Sequence, residues 1–356
     1  MADDAKTHPE IRHGARSLPA VTVVSYNVEL RDADGGFVGD RASFRAFRDL
    51  LADWRDRLRA VGDDPLGDQT GEEVGRKALD RALAEGEPEA AGLIHGVVED
   101  FAQELAGVVR RFRRRKGWKD ATRIVVGGGM RESRIGEVAI GRATVILKGG
   151  GADVTLEPIR HHPDEAGLIG AVHLAPAWIF AAHDAIVAVD VGGSNIRAGI
   201  VALNRKKAED LSKAAVWKSD LWQHRAEARQ PDRDDAVRRL TRMVAHLVAR
   251  ARKANVELAP FIGVGCPGRI EADGTIAAGG QNLPGNWQSS RFDLPACLRE
   301  AVPEIGGHET MVLMHNDAVV QGLSQMPFMR DVPGWGVLTI GTGLGNAFFA
   351  NRDGVA

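Results

Sequence analysis

Residues 186–200 read Ile-Val-Ala-Val-Asp-Val-Gly-Gly-Ser-Asn-Ile-Arg-Ala-Gly-Ile. The apolar residues 185–189 predict a buried strand, and residues 198–203 predict a second strand that returns beside it. A tight turn between the two strands is predicted by Asp190, Gly192, Gly193 and Ser194. Glycines let backbone N–H groups approach an anion, and an aspartate can hold Mg²⁺ through its water shell. A phosphate-binding hairpin and a plain surface hairpin both fit these residues, and Arg197 fits either a binding site or an ordinary salt bridge.

The composition limits the class of protein. With 356 residues, the chain is too long for one ordinary core, which predicts two lobes. The formal net charge of −2 gives no general attraction to nucleic acid or to a membrane. The two cysteines, Cys266 and Cys297, argue against a disulfide framework, and the polar, acidic first residues are unlike a signal peptide. We therefore expect a cytoplasmic protein that binds neither nucleic acid nor membrane.

Helical and strand patterns along the chain predict an α/β fold. Residues 143–147 fit either type of element. The basic residues at 110–116 suit a helix C-terminus, so we favour a solvated helix end over a nucleic-acid site. Helices are predicted at residues 43–61, 73–83, 88–112, 166–174 and 232–255, and strands at 21–30, 123–126, 261–264, 311–314 and 337–340. The helix at 166–174 has small residues at its contacts, which predicts close packing.

Glycine-rich or polar motifs follow several predicted strands. They are Gly127-Gly128-Gly129, Gly265-Cys266-Pro267-Gly268, Asn316-Asp317 and Gly341-Thr342-Gly343-Leu344-Gly345. A separate loop, residues 281–287, reads Gln-Asn-Leu-Pro-Gly-Asn-Trp. Asp317 lies at a strand end, where α/β proteins bind ligands, and it could serve as a catalytic base or as a simple helix cap.

Taken in order, these motifs resemble the ROK family of sugar kinases and repressors, within the actin-like ATPase superfamily. The loop at 281–287 is similar to that of the glucokinase branch. The resemblance covers most of the chain, with residues 22–71 matching least, and implies an α/β, two-lobed actin-like ATPase (ribonuclease H-like) fold with an interlobe cleft. Family members place the adenosine loop and the Gly-Leu-Ile-Gly-Ala helix near the C-terminus, whereas here residues 127–129 and 167–171 precede the first phosphate hairpin. We therefore predict that the fold is circularly permuted.

Joining the end of the chain to its start tests this prediction. The family's Glu-x-Gly-His sugar motif follows the second phosphate hairpin. In this chain the end lies 11 residues after Gly345, so Glu10 lies 21 residues after it once the ends are joined. Residues 10–13 read Glu-Ile-Arg-His, with Arg12 in place of the glycine. No cysteine precedes Cys266, so no structural zinc is expected.

The resemblance implies transfer of the ATP γ-phosphate to the 6-hydroxyl of a hexose, with glucose as the expected sugar. Asp317 would be the base that accepts the hydroxyl proton. Asp190 would hold Mg²⁺ through water. The sugar would be bound by Asn282, Asn316, Asp317, Glu10 and His13. The nucleotide would be bound by Asp190, Gly192, Gly193, Ser194, Gly341, Thr342, Gly343, Gly127, Gly128 and Gly129.

The resemblance also divides the chain. Residues 1–160 would begin the large lobe and carry the adenosine loop. Residues 161–315 would form the small lobe, and residues 316–356 would complete the large lobe with Asp317 and the second phosphate hairpin. A same-fold kinase for another hexose or an N-acetyl aminosugar, a polyphosphate-dependent kinase and a non-catalytic sugar-binding protein remain alternatives. A transcriptional regulator is disfavoured, since no segment predicts a helix-turn-helix. Relatives are often dimers, which leaves a homodimer open.

Overall fold

The computed structural model describes residues 11–67, 74–341 and 343–352. The chain forms two compact units. Unit 1 comprises Met1–Asn27, Asp164–Pro333 and Ala347–Ala356, and unit 2 comprises Val28–Pro163 and Gly334–Asn346. Residues 316–333 belong to unit 1, while the lobe boundaries predicted after residues 160 and 315 stay a prediction. Asp317 and Asp190 therefore belong to the same unit.

Helices and strands follow one another throughout, so the protein is a mixed α/β structure. The strands are β1 (Val21–Tyr26), β2 (Arg123–Gly127), β3 (Thr155–Pro158), β4 (Ala185–Val191), β5 (Ile196–Ala202), β6 (Ala215–Trp222), β7 (Leu258–Cys266), β8 (Arg269–Ile270), β9 (Ile276–Ala278), β10 (Glu304–Ile305), β11 (His308–Glu309), β12 (Met311–Asn316), β13 (Gly334–Ile340) and β14 (Leu344–Asn351). The α-helices are α1 (Phe44–Arg59), α2 (Arg76–Glu85), α3 (Pro88–Arg113), α4 (Arg134–Gly149), α5 (Pro163–Gly170), α6 (Arg233–Lys253), α7 (Leu294–Ala301) and α8 (Asp317–Leu323).

Most predicted elements are confirmed, and the differences have local causes. The ambiguous residues 143–147 lie inside α4, which begins at a cap where the Ser133 hydroxyl accepts a hydrogen bond from Gly136 N at 3.1 Å. β1 ends at Tyr26, earlier than predicted, because Asn27 has a φ of 49°, which an extended strand does not allow. The helix predicted at 166–174 begins earlier, at Pro163, and continues beyond Gly170 as a 3-10 turn.

A five-stranded sheet forms the centre of unit 1, in the order β12-β7-β4-β5-β6. β4, β5 and β6 are antiparallel neighbours, whereas β7 and β12 run parallel to β4. All seven residues of β4 are buried, as expected for a central strand covered on both faces. Leu240, Val244 and Leu247 of α6 belong to the same buried cluster as the apolar side chains of this sheet.

The segment before β1 covers the edge of β12. Gly14 N donates to Met314 O at 2.9 Å, and Met314 N donates to His13 Nδ1 at 3.1 Å. His315 Nε2 donates to Ala15 O at 3.1 Å, and burial lowers the pKa of His315 to about 4. These contacts satisfy backbone groups that an open edge strand would leave unpaired.

Unit 2 is built on three parallel strands, with β13 beside β2 and β2 beside β3. The long helix α3 supplies its core through Val97, Phe101 and Leu105, which have no exposed surface. Trp54 of α1 donates from Nε1 to the Asp100 carboxylate of α3 at 2.8 Å. Among the helices of the described chain, none combines the length and apolar character needed to cross a bilayer.

Helix α5 packs so closely in unit 1 that its glycines have no room for a side chain. A Cβ on Gly167 would lie 2.6 Å from Cγ of Asp190, and one on Gly170 would collide with the carbonyl oxygen of Val320 in α8. A Cβ on Gly263 of β7 would lie 2.7 Å from Cβ of Ala171. The predicted close packing of this helix is therefore confirmed.

We expect Gly170→Ala to lower the free energy of unfolding by about 1–3 kcal/mol or more, because the new methyl group meets a backbone oxygen rather than a flexible side chain. The matched control is Gly141→Ala, an exposed site inside α4 with no atom within 4 Å of the added Cβ. There alanine should be neutral or stabilising, by up to about 1 kcal/mol. Urea denaturation of the two variants measures both effects, and equal changes would contradict this account.

Candidate active site

Three parallel strands of unit 1 end at one edge of the sheet. Asp190 of β4 lies opposite Gly265 of β7, and Gly265 lies opposite His315 of β12. Asn316 follows directly and lies opposite Cys266. Ligands of open α/β sheets bind at the carboxyl ends of the strands, so this edge is the candidate site. It brings together the two acids that the sequence analysis selected, Asp190 and Asp317.

Gly265 is the spacer between these acids. A Cβ at this position would lie 3.6 Å from Oδ1 of Asp190 and 3.6 Å from Cα of Asp317. A larger residue would therefore enter the space beside the Asp190 carboxyl group and the backbone of Asp317. The sequence analysis noted the turn that contains Gly265 but gave that residue no role, and the parallel register of the strands is what reveals it.

Asn316 caps helix α8. Its Oδ1 accepts hydrogen bonds from Ala318 N at 3.0 Å and Val319 N at 3.3 Å, and its Nδ2 donates to Gly268 O at 3.0 Å. The simple capping role considered for Asp317 is thus taken by the residue before it. The predicted role of Asn316 as a sugar ligand stays a prediction.

The negative charge of Asp190 raises the affinity of Asp317 for a proton. Burial raises the pKa of Asp317 to about 7, with a further contribution from the negative charge of Asp190. Backbone N–H groups at the start of α8 oppose this shift. Burial also raises the pKa of Asp190, and the positive charge of Arg197 partly offsets it. A carboxyl group that titrates near neutrality is suited to accepting a proton during catalysis.

Arg197 connects the hairpin to α5. Its guanidinium lies 3.7 Å from Oδ2 of Asp190 and also pairs with the carboxylate of Asp164, in the first turn of α5. This is the salt-bridge alternative considered for Arg197. The ion pair supplies part of the compensation that a buried carboxylate requires.

The β4–β5 hairpin lies against the loop at 281–287. Gly192 N donates to Asn195 O at 2.8 Å and closes the turn. A Cβ on Gly193 would lie 3.0 Å from Cβ of Asn282, so the hairpin tip and the loop are in direct contact. Trp287 anchors the loop, since its ring is fully buried and its Nε1 donates to Pro284 O at 2.6 Å. Asn282 is held exposed beside the hairpin.

Two further residues were selected for the sugar, His13 and Glu10. His13 is engaged with the edge of β12 through Met314 N. Burial lowers the pKa of His13, while Asp293 and Asp273 raise it and Arg299 lowers it. Glu10 lies outside the described residues, so its assignment and that of His13 stay predictions.

The two predicted nucleotide motifs of unit 2 lie side by side, at the ends of β2 and β13. Gly128 has a φ of 85°, and a Cβ there would collide with the carbonyl oxygen of Ile340. Gly341 N donates to Gly343 O at 3.0 Å, and Gly341 O accepts from Phe44 N at 3.1 Å. Thr342 lies outside the described residues.

Arg76 holds the first of these motifs. Its Nη1 donates to Gly129 O and lies 3.1 Å from Oε2 of Glu132. The sequence analysis missed Arg76, because α2 carries no motif and its contact with the loop joins residues distant in the chain.

We expect Asp317→Asn to be more stable than the parent protein at pH 8, by about 1–3 kcal/mol. The native state prefers the protonated carboxyl, so stability is lost as pH rises from the ordinary aspartate pKa of 3.8 to the native pKa of about 7. The amide avoids this loss, and its advantage should disappear below pH 3.8, where both states bind the proton. Urea unfolding across this pH range measures it. Asp153→Asn, at an exposed site, controls for removal of one charge, and an equal gain in that variant would contradict the role of burial.

Comparisons with known proteins give partial structural similarity. No protein-family model and no curated protein sequence matches the chain. A protein described as a sugar kinase from Cytophaga hutchinsonii is similar at a TM-score of 0.35 and 17% identity, over 47% of this chain and 48% of that one. A protein described as an N-acetylmannosamine kinase from Listeria monocytogenes has a TM-score of 0.33 and 24% identity, over 47% of each chain. The ROK hexokinase from Thermus thermophilus has a TM-score of 0.30 and 22% identity, over 46% of this chain and 45% of that one. The chain therefore matches about half the length of each of these structures.

Proposed function

We propose that the protein is a sugar kinase that transfers the γ-phosphate of ATP to the 6-hydroxyl of a hexose, with glucose as the expected acceptor. The observation that carries this proposal is the acid pair at the end of β4 and β12. Burial beside Asp190 raises the pKa of Asp317 to about 7. The ordered motifs of the sequence, which resemble those of ROK kinases, support the same reaction.

Asp317 is the proposed base. As the sugar oxygen attacks the γ-phosphorus, its proton passes to the Asp317 carboxylate, and the bond to the ADP oxygen breaks. A base with a pKa near 7 is ionised in a large fraction of molecules at neutral pH and still binds the proton well. Asn316 fixes the start of α8 and therefore the position of this carboxyl group.

Asp190 is the proposed contact for Mg²⁺. The residues fit this ion, because burial raises the pKa of the Asp190 carboxyl group and its ionised form would gain from a nearby positive charge. Bound Mg²⁺ would neutralise charge on the phosphates. The backbone N–H groups of Gly193 and Ser194 are the proposed phosphate donors on the protein side, since the Gly192 N–H already closes the turn by donating to Asn195 O.

The sugar and the nucleoside have separate proposed ligands. Asn282, beside Gly193, would bind sugar hydroxyls near the phosphate hairpin, together with Asn316, Glu10 and His13. The nucleotide would be bound by Gly127, Gly128 and Gly129 and by Gly341, Thr342 and Gly343. Their backbone groups lie at the ends of two adjacent parallel strands.

The first test is a coupled assay for ADP release with ATP, Mg²⁺ and a panel of hexoses and N-acetyl aminosugars. We expect one sugar to stimulate turnover, and Asp317→Asn to lower kcat by about 10²–10⁴-fold through loss of the base. The kcat/KM of the parent protein should rise with pH and level off above about 7, the pKa of Asp317.

The control is Asp234→Asn, which removes a surface carboxylate that is 69% exposed. It should keep full activity. Turnover with polyphosphate but not ATP would favour the polyphosphate-dependent kinase, and sugar binding without turnover on either donor would favour the non-catalytic protein.

We also propose that the chain is a circular permutant of the two-lobed actin-like ATPase fold. Supporting this, β1 pairs antiparallel with β14, so the first and last described strands are neighbours. Arg352 N donates to Ala20 O at 3.1 Å, and its guanidinium donates to Leu18 O at 2.8 Å. The described segments at 18–26 and 347–352 are therefore in direct contact, as a chain reordered at this point would require.

A reordered chain tests the permutation. It begins at His183, in the turn before β4, and ends at Ala182, with residue 356 joined to residue 1 through a short glycine-serine linker. We expect the circular dichroism spectrum and the urea midpoint to stay close to those of the parent, because the cut falls in an exposed turn. A second reordered chain has the same linker but its new ends in another surface loop. If that chain folds and the one beginning at His183 does not, the proposed order is contradicted.

A further inference from the structure

His224 contacts the backbone at the tip of the β4–β5 hairpin. It begins a 3-10 helix, His224–Ala226, directly after β6, and its side chain is 3% exposed. Its Nε2 lies 3.0 Å from the carbonyl oxygen of Gly192. A carbonyl oxygen can only accept, so the proton of this hydrogen bond is on Nε2.

The same short segment makes a second contact with the hairpin. Arg225 N donates to Ser194 O at 3.3 Å, so the hairpin backbone is tied at two points to residues 224–225. Gly192 and Gly193 have no side chains that could restrain the turn by packing. The segment thus restrains a backbone that would otherwise have unusual freedom.

The imidazole is itself fixed by its surroundings. The Trp222 ring meets it edge-on, with centroids 5.7 Å apart. Trp222 Nε1 donates to Glu227 Oε1 at 2.7 Å, and Arg239 lies over the Trp222 ring at 4.9 Å and 3.6 Å from the same Glu227 oxygen. These contacts orient the ring, so the hydrogen bond to Gly192 has one direction.

We infer that His224 is a positioning residue which fixes the Gly192–Gly193 peptide so that the Gly193 N–H is presented to a nucleotide phosphate. In a trans peptide the C=O and N–H point in opposite directions, so holding Gly192 O on one side directs Gly193 N–H to the other. Asn282 packs against Gly193 and limits its movement further. A donor that is already oriented binds an anion without losing freedom at the moment of binding. The inference rests on the proposed function.

Three substitutions separate this role from simple packing. His224→Ala removes the donor. His224→Gln places an amide N–H near the position of Nε2, whereas the shorter side chain of His224→Asn cannot reach Gly192 O. His246→Ala, at an exposed site on α6, controls for removal of a histidine. Calorimetric titration with ADP·Mg²⁺ and with adenosine measures binding, and hydrogen exchange of the segment 190–196 measures the restraint directly.

We expect ADP to bind about tenfold more weakly to His224→Ala and His224→Asn, with adenosine binding unchanged and His224→Gln near the parent. Exchange in residues 190–196 should speed up in the two weak variants alone. Unchanged ADP binding in His224→Ala, or equal losses for ADP and adenosine, would overturn the inference while leaving the proposed kinase intact. A parent protein that binds no nucleotide would overturn both, and the exchange data would then show whether His224 restrains the hairpin at all.

Discussion

Two acidic side chains that lie close together and away from solvent set the conditions for the rest of unit 1. Moving a carboxylate out of water costs several kcal/mol unless other groups compensate, and a second carboxylate nearby adds to that cost. Asp190 is compensated by Arg197, which in turn draws in Asp164. Asp317 is compensated by the N–H groups that begin α8 and otherwise by binding a proton. The positions of β5, α5 and α8 beside these acids are therefore constrained by charge as well as by packing.

Close packing around this pair is the second constraint. Gly167 of α5 approaches the Asp190 carboxyl group so closely that a Cβ there would lie 2.6 Å from its Cγ, and Gly265 of β7 lies beside the same carboxyl group. The hairpin after Asp190 is supported on its outer side by residues 224–225 and on another side by Asn282. Contacts from several separate parts of the chain thus restrain a few glycines around Asp190. An arrangement of this kind allows flexible residue types to act as oriented donors.

Local sequence patterns predicted the helices and strands that carry the site. They could not predict contacts between residues that are distant in the chain. The apolar run of β4, the turn at Gly192–Gly193 and the small residues of α5 each have a local signal, and the structure confirms all three. The start of α8 also has a local signal, but either of two adjacent polar residues could cap the helix, and the structure shows that Asn316 does so. His224 and Arg76 could not be found, because each acts on a glycine loop through a fold that joins separate segments.

The pairing of β1 with β14 has a consequence for the synthesis of the protein. β1 is the first described strand to leave the ribosome and β14 is the last, so this part of unit 1 cannot close until β14 has been translated. Residues 13–15 also wait for their partner, because the edge of β12 that they cover is made some 300 residues later. Contacts so distant in sequence form slowly, and partly folded chains expose apolar strands meanwhile. A nascent chain of this order therefore stays open to aggregation, and to chaperones, until β14 has been translated.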